Sequence, residues 1–248
     1  MIITESIAVW LLLVFDAVIG MVLIFGAKSQ PFPTPAKRFG TLILIITGLL
    51  LLGQSAPNPT SLEAHLGIIS VIGAFGLVSG IHYMLNTRRE VLVAPMSGFL
   101  FCVGVAGLIT KTWDELTKFE HWAGFLALVV LAGGQTWLVF RGLLIGRLPL
   151  AWSQAGMVAL HRGQLLGSHG AVECFEKAWD GDEEHLNPMA YSALYKINLF
   201  LDNQQQANHW RELFLEVGGE KSVASEWLVA IDECLYAMGG LPPSYAEE

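Results

Sequence analysis

The chain has 248 residues, 53% of them hydrophobic and only 15% charged, with a mean hydropathy of +0.51. Soluble domains carry about 25% charged residues, so an ordinary soluble protein is excluded and a membrane protein is indicated. Residues 1–150 hold nine Lys and Arg against seven Asp and Glu, whereas residues 151–248 hold five against fifteen; an acidic excess of that kind excludes nucleic acid as a partner, because phosphate binding needs clustered cations.

The first apolar run, 4–27, reaches the roughly 20 residues that a spanning helix needs. It has no basic leader, carries Glu5 and exceeds the roughly 7–15 apolar residues of a signal peptide. It therefore reads as a retained span. Within VWLLLVFDAVIGMVLIF one charged residue, Asp16, stands at the centre. A carboxylate at that depth costs about 2.5–3.5 kcal/mol on insertion scales and must face protein or water.

Four further spans are predicted at 39–55, 62–85, 92–110 and 121–143. The loops SQPFPTPAKR and QSAPNPTS contain helix-breaking prolines. Thr47 in the second span and Gln135 in the fifth fall at a depth similar to Asp16, so a polar cluster of the three is an expectation. It reads either as a proton or ion site or as a buried carboxyl that locks helices together. In the third span Gly67, Gly73, Gly76 and Gly80 recur at helical spacing, and small residues let helix backbones approach closely.

LEAHLG opens the third span and FEHWAG the fifth. Each sets an acid beside a histidine at the same expected face. His65 and His121 are therefore candidates to hold haem or a metal, with Glu63 and Glu120 as hydrogen-bond acceptors behind them. The alternative is that both pairs are headgroup-zone residues.

Lys28, Lys37, Arg38, Arg88, Arg89, Arg141 and Arg147 fall in the first and third loops and after the fifth span. Basic residues favour the cytoplasmic side. The N-terminus is then expected outside and the acidic C-terminal region in the cytoplasm of a bacterial-type cell, with the chain in its inner membrane.

From about residue 149 the pattern changes to amphipathic helices, expected near 150–166, 169–180, 188–202, 204–217 and 222–238. Asn187-Pro188 reads as an N-cap followed by a first helical residue, and Gly218 and Gly239 as C-terminal caps. The fold class is thus all-α: residues 1–148 form a transmembrane helix bundle and residues 149–248 a soluble helical domain. Ala155, Val158, Ala159 and Arg162, followed by Ala171, Phe175 and Ala178, make one helix-pair pattern. Tyr191, Leu194, Tyr195 and Asn198, followed by Ala207, Arg211 and Phe214, make a second, with Ala171 and Ala207 36 residues apart. Residues 150–217 thereby resemble two tetratricopeptide repeats, with 222–238 as a capping helix. The resemblance implies a stack of helices that docks a peptide or another subunit and carries no catalytic machinery.

The three cysteines form no CxxC pair, and neither a P-loop, a G-x-S-x-G elbow nor an H-E-x-x-H motif is present. The sequence therefore points to a non-enzymatic scaffold or accessory subunit that sits in the lipid bilayer without a cofactor. It docks a protein subunit, one with a basic segment if the acidic excess selects it. The alternatives are a pore or transporter subunit using Asp16, and a membrane redox protein with haem between His65 and His121.

Overall fold

The computed structural model describes residues 2–87, 91–140, 148–180 and 187–240. Among them it has ten α-helices and no strand. The chain divides into two compact units, Met1–Gly146 and Arg147–Glu248.

The first unit contains α1 (Ile2–Gly26), α2 (Thr34–Gln54), α3 (Leu62–Ile81), α4 (Val93–Lys111) and α5 (Lys118–Val139). All five are long and apolar enough to cross a membrane. In α1 the buried positions Val9, Leu13, Asp16, Gly20 and Leu23 follow one another at three- and four-residue steps, the period of a single helix face. Leu11, Val14, Val18, Val22 and Phe25 occupy the opposite face and are exposed. A helix apolar on both faces belongs in lipid or a large core.

Helix starts follow local chemistry. α2 begins at Thr34, five residues earlier than the sequence suggests, with Pro35 in its first turn, where a missing N–H costs nothing. Lys37 and Arg38 are therefore carried by the helix and not by the loop. Ser61 caps α3 by accepting from the Ala64 N–H at 3.3 Å. Thr117 and Glu120 form a capping box on α5, with the Thr117 N–H donating to Glu120 Oε2 at 2.7 Å. Helical structure continues past α3 as π-helical turns over His82–Thr87.

Two close helix crossings stand out in the first unit. At Gly40 in α2, an added Cβ would stand 2.7 Å from the Gly20 carbonyl oxygen of α1. Between α3 and α4 the approach is closer still: a Cβ at Gly73 would meet the Phe101 backbone nitrogen at 2.4 Å, and one at Gly80 the Ala94 nitrogen at 2.3 Å. Gly76 faces Ser97 across the same seam and the Phe39 ring of α2 beside it. Gly67 does not share in it, since nothing lies within 4 Å of its position. Four glycines at helical spacing thus contain three packing residues and one that faces away. Lys111 of α4 pairs with Glu63 of α3 at 3.2 Å. α5 packs mainly on α4 and leaves Trp122, Leu126, Val130 and Trp137 exposed.

The second unit contains α6 (Leu148–His161), α7 (Ala171–Asp180), α8 (Pro188–Phe200), α9 (Gln204–Glu216) and α10 (Ser225–Ala237). α6 pairs with α7 and α8 with α9. α6 ends at His161, short of the expected 166, because Gly163 takes a left-handed φ of 69°; α7 starts after His169, itself at φ 60°. Asn187 caps α8 ahead of Pro188, and Gly218 and Gly239 adopt φ of 105° and 95°. Gly156 leaves room for the Phe175 ring, which an added Cβ would meet at 2.8 Å. α10 packs against both α6 and α8. Its Trp227 Nε1 donates to the Met189 carbonyl at 3.2 Å, Asp232 accepts from Lys196 with both oxygens at 2.7 Å, and Cys234 Sγ lies 3.2 Å from His161 Nδ1.

Candidate functional site

Asp16 is 3% exposed. α1 turns it inward because it shares the face of Leu13 and Gly20. The cavity beside it is lined by Ile43, Ile46, Thr47, Ile69, Ile72 and Leu100, and its space for a water centre, about 10 Å³, is that of about one water. Thr47 is the other polar lining residue, and its hydroxyl donates to the Ile43 carbonyl of its own helix at 2.9 Å. Asp16 Oδ1 has no hydrogen-bond partner among the described residues. The structure thus brings Asp16 and Thr47 to one cavity without joining them.

Gln135 lies elsewhere. It lines a separate, apolar cavity with Gly98, Cys102, Leu131 and Trp137. Its Nε2 donates to the Pro95 carbonyl of α4 at 2.8 Å, and its Oε1 packs over Gly98, where an added Cβ would stand 1.9 Å away. Gln135 therefore fastens α5 to α4 and does not share the Asp16 cavity. Sequence pattern places all three residues at one depth but does not fix how each helix is rotated, and rotation separates them.

Each histidine is bonded through one ring nitrogen to a backbone carbonyl. His65 is fully buried, and its Nδ1 donates to the Ser61 carbonyl one helical turn back at 3.1 Å. This leaves Nε2 as the free lone pair of the neutral ring, buried and without a partner among the described residues. His121 donates the opposite nitrogen, Nε2, to the Trp113 carbonyl at 2.9 Å and stacks edge-on to the Trp113 ring with centroids 4.6 Å apart. A haem held between the two rings in the usual way takes an Nε2 lone pair from each, whereas His121 Nε2 carries the proton that it donates to the Trp113 carbonyl. The residues present do not fit that group. Glu120 is the capping-box acid of α5 and Glu63 pairs with Lys111, so neither stands behind a histidine. Among the described residues no three His, Cys, Asp or Glu gather as a metal site.

Sequence pattern missed Ser97, whose buried Oγ has no partner among the described residues and lies against Gly76. It also missed the Gly20–Gly40 crossing, because two glycines in different spans carry no shared spacing.

In the second unit several ionisable and aromatic residues are tied to structure. Glu173 accepts from Lys177 at 2.5 Å and from the His169 N–H at 2.7 Å, and the Lys177 bond comes first in holding its carboxyl below the usual range. Lys177 also lies 4.6 Å above the Trp152 ring. Burial, reinforced by the Glu173 charge, pushes the Cys174 thiol up to about 11. Trp179, Tyr191 and Trp210 form an aromatic core, with Trp179 Nε1 donating to the Tyr191 hydroxyl at 3.1 Å. Glu212, Glu216, Glu226 and Glu233 remain exposed on α9 and α10.

No protein-family model matches the chain, and neither a curated protein nor a solved structure does.

Proposed function

We propose that this chain is a non-enzymatic integral membrane scaffold or accessory subunit, anchored by α1–α5, that docks a protein partner on its second unit. The N-terminus would lie outside and the second unit in the cytoplasm, as the basic residues around the first and third loops favour. The observation that carries the reading is how the second unit uses its side chains. His161, Trp227 and Lys196 bind one helix to another, while exposed carboxylates of α9 and α10 face solvent. Such a surface suits a basic segment of a partner. In the tetratricopeptide-like reading, α10 covers both α6 and α8, the first helices of the two pairs. The partner is then expected on the exposed carboxylates of α9 or α10 and not between α6 and α8.

The test is to extract the full-length protein gently from its own membrane, measure the native mass and identify the subunits. A hetero-complex is expected, whose partner is lost when residues 150–248 are deleted while the remainder still inserts. A particle made of this chain alone would overturn the proposal.

One observation favours a second reading, a pore or transporter subunit. Asp16 is buried with an unpartnered oxygen beside space for about one water. The aliphatic walls of that cavity weigh the other way, since an ion path needs polar lining.

A further inference from the structure

At the end of the first unit where Lys37 and Arg38 lie, a cavity of about 230 Å³ opens between α2 and α3. It is lined by Thr34, Arg38 and Leu42 from α2, and by Phe75, Ser79 and Tyr83 from the third span. Each set is spaced by four residues, so each forms one stripe along a helix. The two helices run in opposite directions, and the stripes match in polarity. Thr34, Arg38, Ser79 and Tyr83 lie toward the helix ends, while Leu42 and Phe75 lie deeper and are 39% and 64% exposed.

Three properties select the occupant. Arg38 is exposed, and no carboxylate among the described residues pairs with it. α2 starts here from Pro33 without a side-chain cap, so no N-cap side chain covers the positive end of its dipole. The floor of the cavity is apolar and runs toward the bilayer core. An anion with a hydrocarbon tail satisfies all three. Guanidinium binds phosphate through paired N–H groups, and arginine and tyrosine are the usual interfacial anchors.

We infer that this cavity is a binding site for an anionic phospholipid, its phosphate on Arg38 and the α2 N-terminus, and one acyl chain between Leu42 and Phe75. The inference rests on the reading that the five apolar helices span a bilayer.

The test uses the full-length protein in nanodiscs of phosphatidylglycerol and phosphatidylcholine mixed equally, with retained lipids counted by native mass spectrometry. The wild type is expected to retain phosphatidylglycerol several-fold over phosphatidylcholine. Arg38→Gln, an exposed position that leaves packing intact, brings that ratio close to one. Leu42→Trp, which fills the tail slot, lowers retention without removing the charge. Lys37→Gln, one residue away and outside the cavity, leaves the ratio unchanged. An equal ratio in the wild type, or a ratio unmoved by Arg38→Gln, overturns the site. An equal loss in Lys37→Gln reduces it to general surface charge and also overturns it. Displacement of the lipid by millimolar inorganic phosphate would assign the site to a free anion and overturn the lipid. Release of the wild type from its native membrane by alkaline carbonate without detergent would instead overturn the membrane reading itself, and the two failures are thereby separate.

Discussion

Gln135 Nε2 donates to the Pro95 carbonyl at 2.8 Å, and the same side chain lies over Gly98 with Oε1 1.9 Å from where a Cβ would be. The bond and the glycine form one device: Gly98 makes the space that lets an amide on α5 reach the backbone of α4. Hydrogen bonds between membrane helices average about 0.6 kcal/mol and reach about 1.7. Gly98→Ala is expected to cost about 1–2 kcal/mol in the wild type and clearly less beside Gln135→Ala. A double-mutant cycle by thermal unfolding in nanodiscs measures this coupling; simple additivity would show that the two residues act separately.

The α3–α4 seam predicts a ranking among the glycines of α3. Gly73→Ala and Gly80→Ala push a methyl into the Phe101 and Ala94 backbone, which cannot rotate away, and are expected to destabilise by about 1–3 kcal/mol. Gly67→Ala meets nothing within 4 Å and is expected to be neutral, or stabilising by up to about 1 kcal/mol through helix propensity. The same unfolding assay ranks the three.

Asp16 separates the two functional readings. A buried oxygen without a partner costs about 1–3 kcal/mol, so Asp16→Leu is expected to match or exceed the wild type in stability if the residue has no transport role. Asp16→Asn keeps the volume and removes the charge. A well-folded Asp16→Asn variant with unchanged ion flux in proteoliposomes rules out the pore; lost flux with intact folding restores it.

Cys174 and Glu173 set opposite pH limits on the second unit. The native Cys174 thiol ionises near 11 against 9.0 for an ordinary thiol. Its contribution to stability is therefore full below pH 9 and lost as pH rises from 9 toward 11. The Glu173 carboxyl is lowered by Lys177 and the His169 N–H; its contribution is present above the ordinary carboxylate value of 4.5 and lost as pH falls through the native one. Cys174→Ala should flatten the alkaline limb of a pH–stability profile and Glu173→Gln the acid limb. Native Cys174 should also resist maleimide at pH 8 and react once denatured.

The pair Lys196–Asp232 ties α10 to α8 while only partly exposed. Asp232→Asn is expected to destabilise the unit by about 1–2 kcal/mol, between the values for exposed and buried pairs, and to speed proteolysis near α10.

The five apolar helices and the shift to amphipathic ones were legible because composition and period survive without tertiary context. So were the caps, since Asn187-Pro188, Gly218 and Gly239 answer to backbone geometry within a few residues. The partners were not legible. The acceptor for Gln135 is the Pro95 carbonyl and the acceptor for His121 is that of Trp113, and a backbone carbonyl leaves no mark in a residue pattern. Sequence pattern assigns Asp16, Thr47 and Gln135 one depth, but helix rotation, which decides whether they meet, depends on contacts such as Gly73 against Phe101. The α2 start was misplaced because Lys37 and Arg38 read as loop residues, whereas the missing N–H of Pro35 suits a helix beginning.

The return of α10 onto α6 changes how the second unit must come apart. In an open stack each helix pair touches its neighbours alone, so the ends can fray and stability accumulates pair by pair. Here the last described helix touches the first, and its contacts reach far along the chain: His161 and Cys234 are 73 residues apart. Such long-range closure slows folding and couples the termini of the unit. Slow amide exchange should then reach a single plateau across α6, α8 and α10, with no gradient from one end to the other.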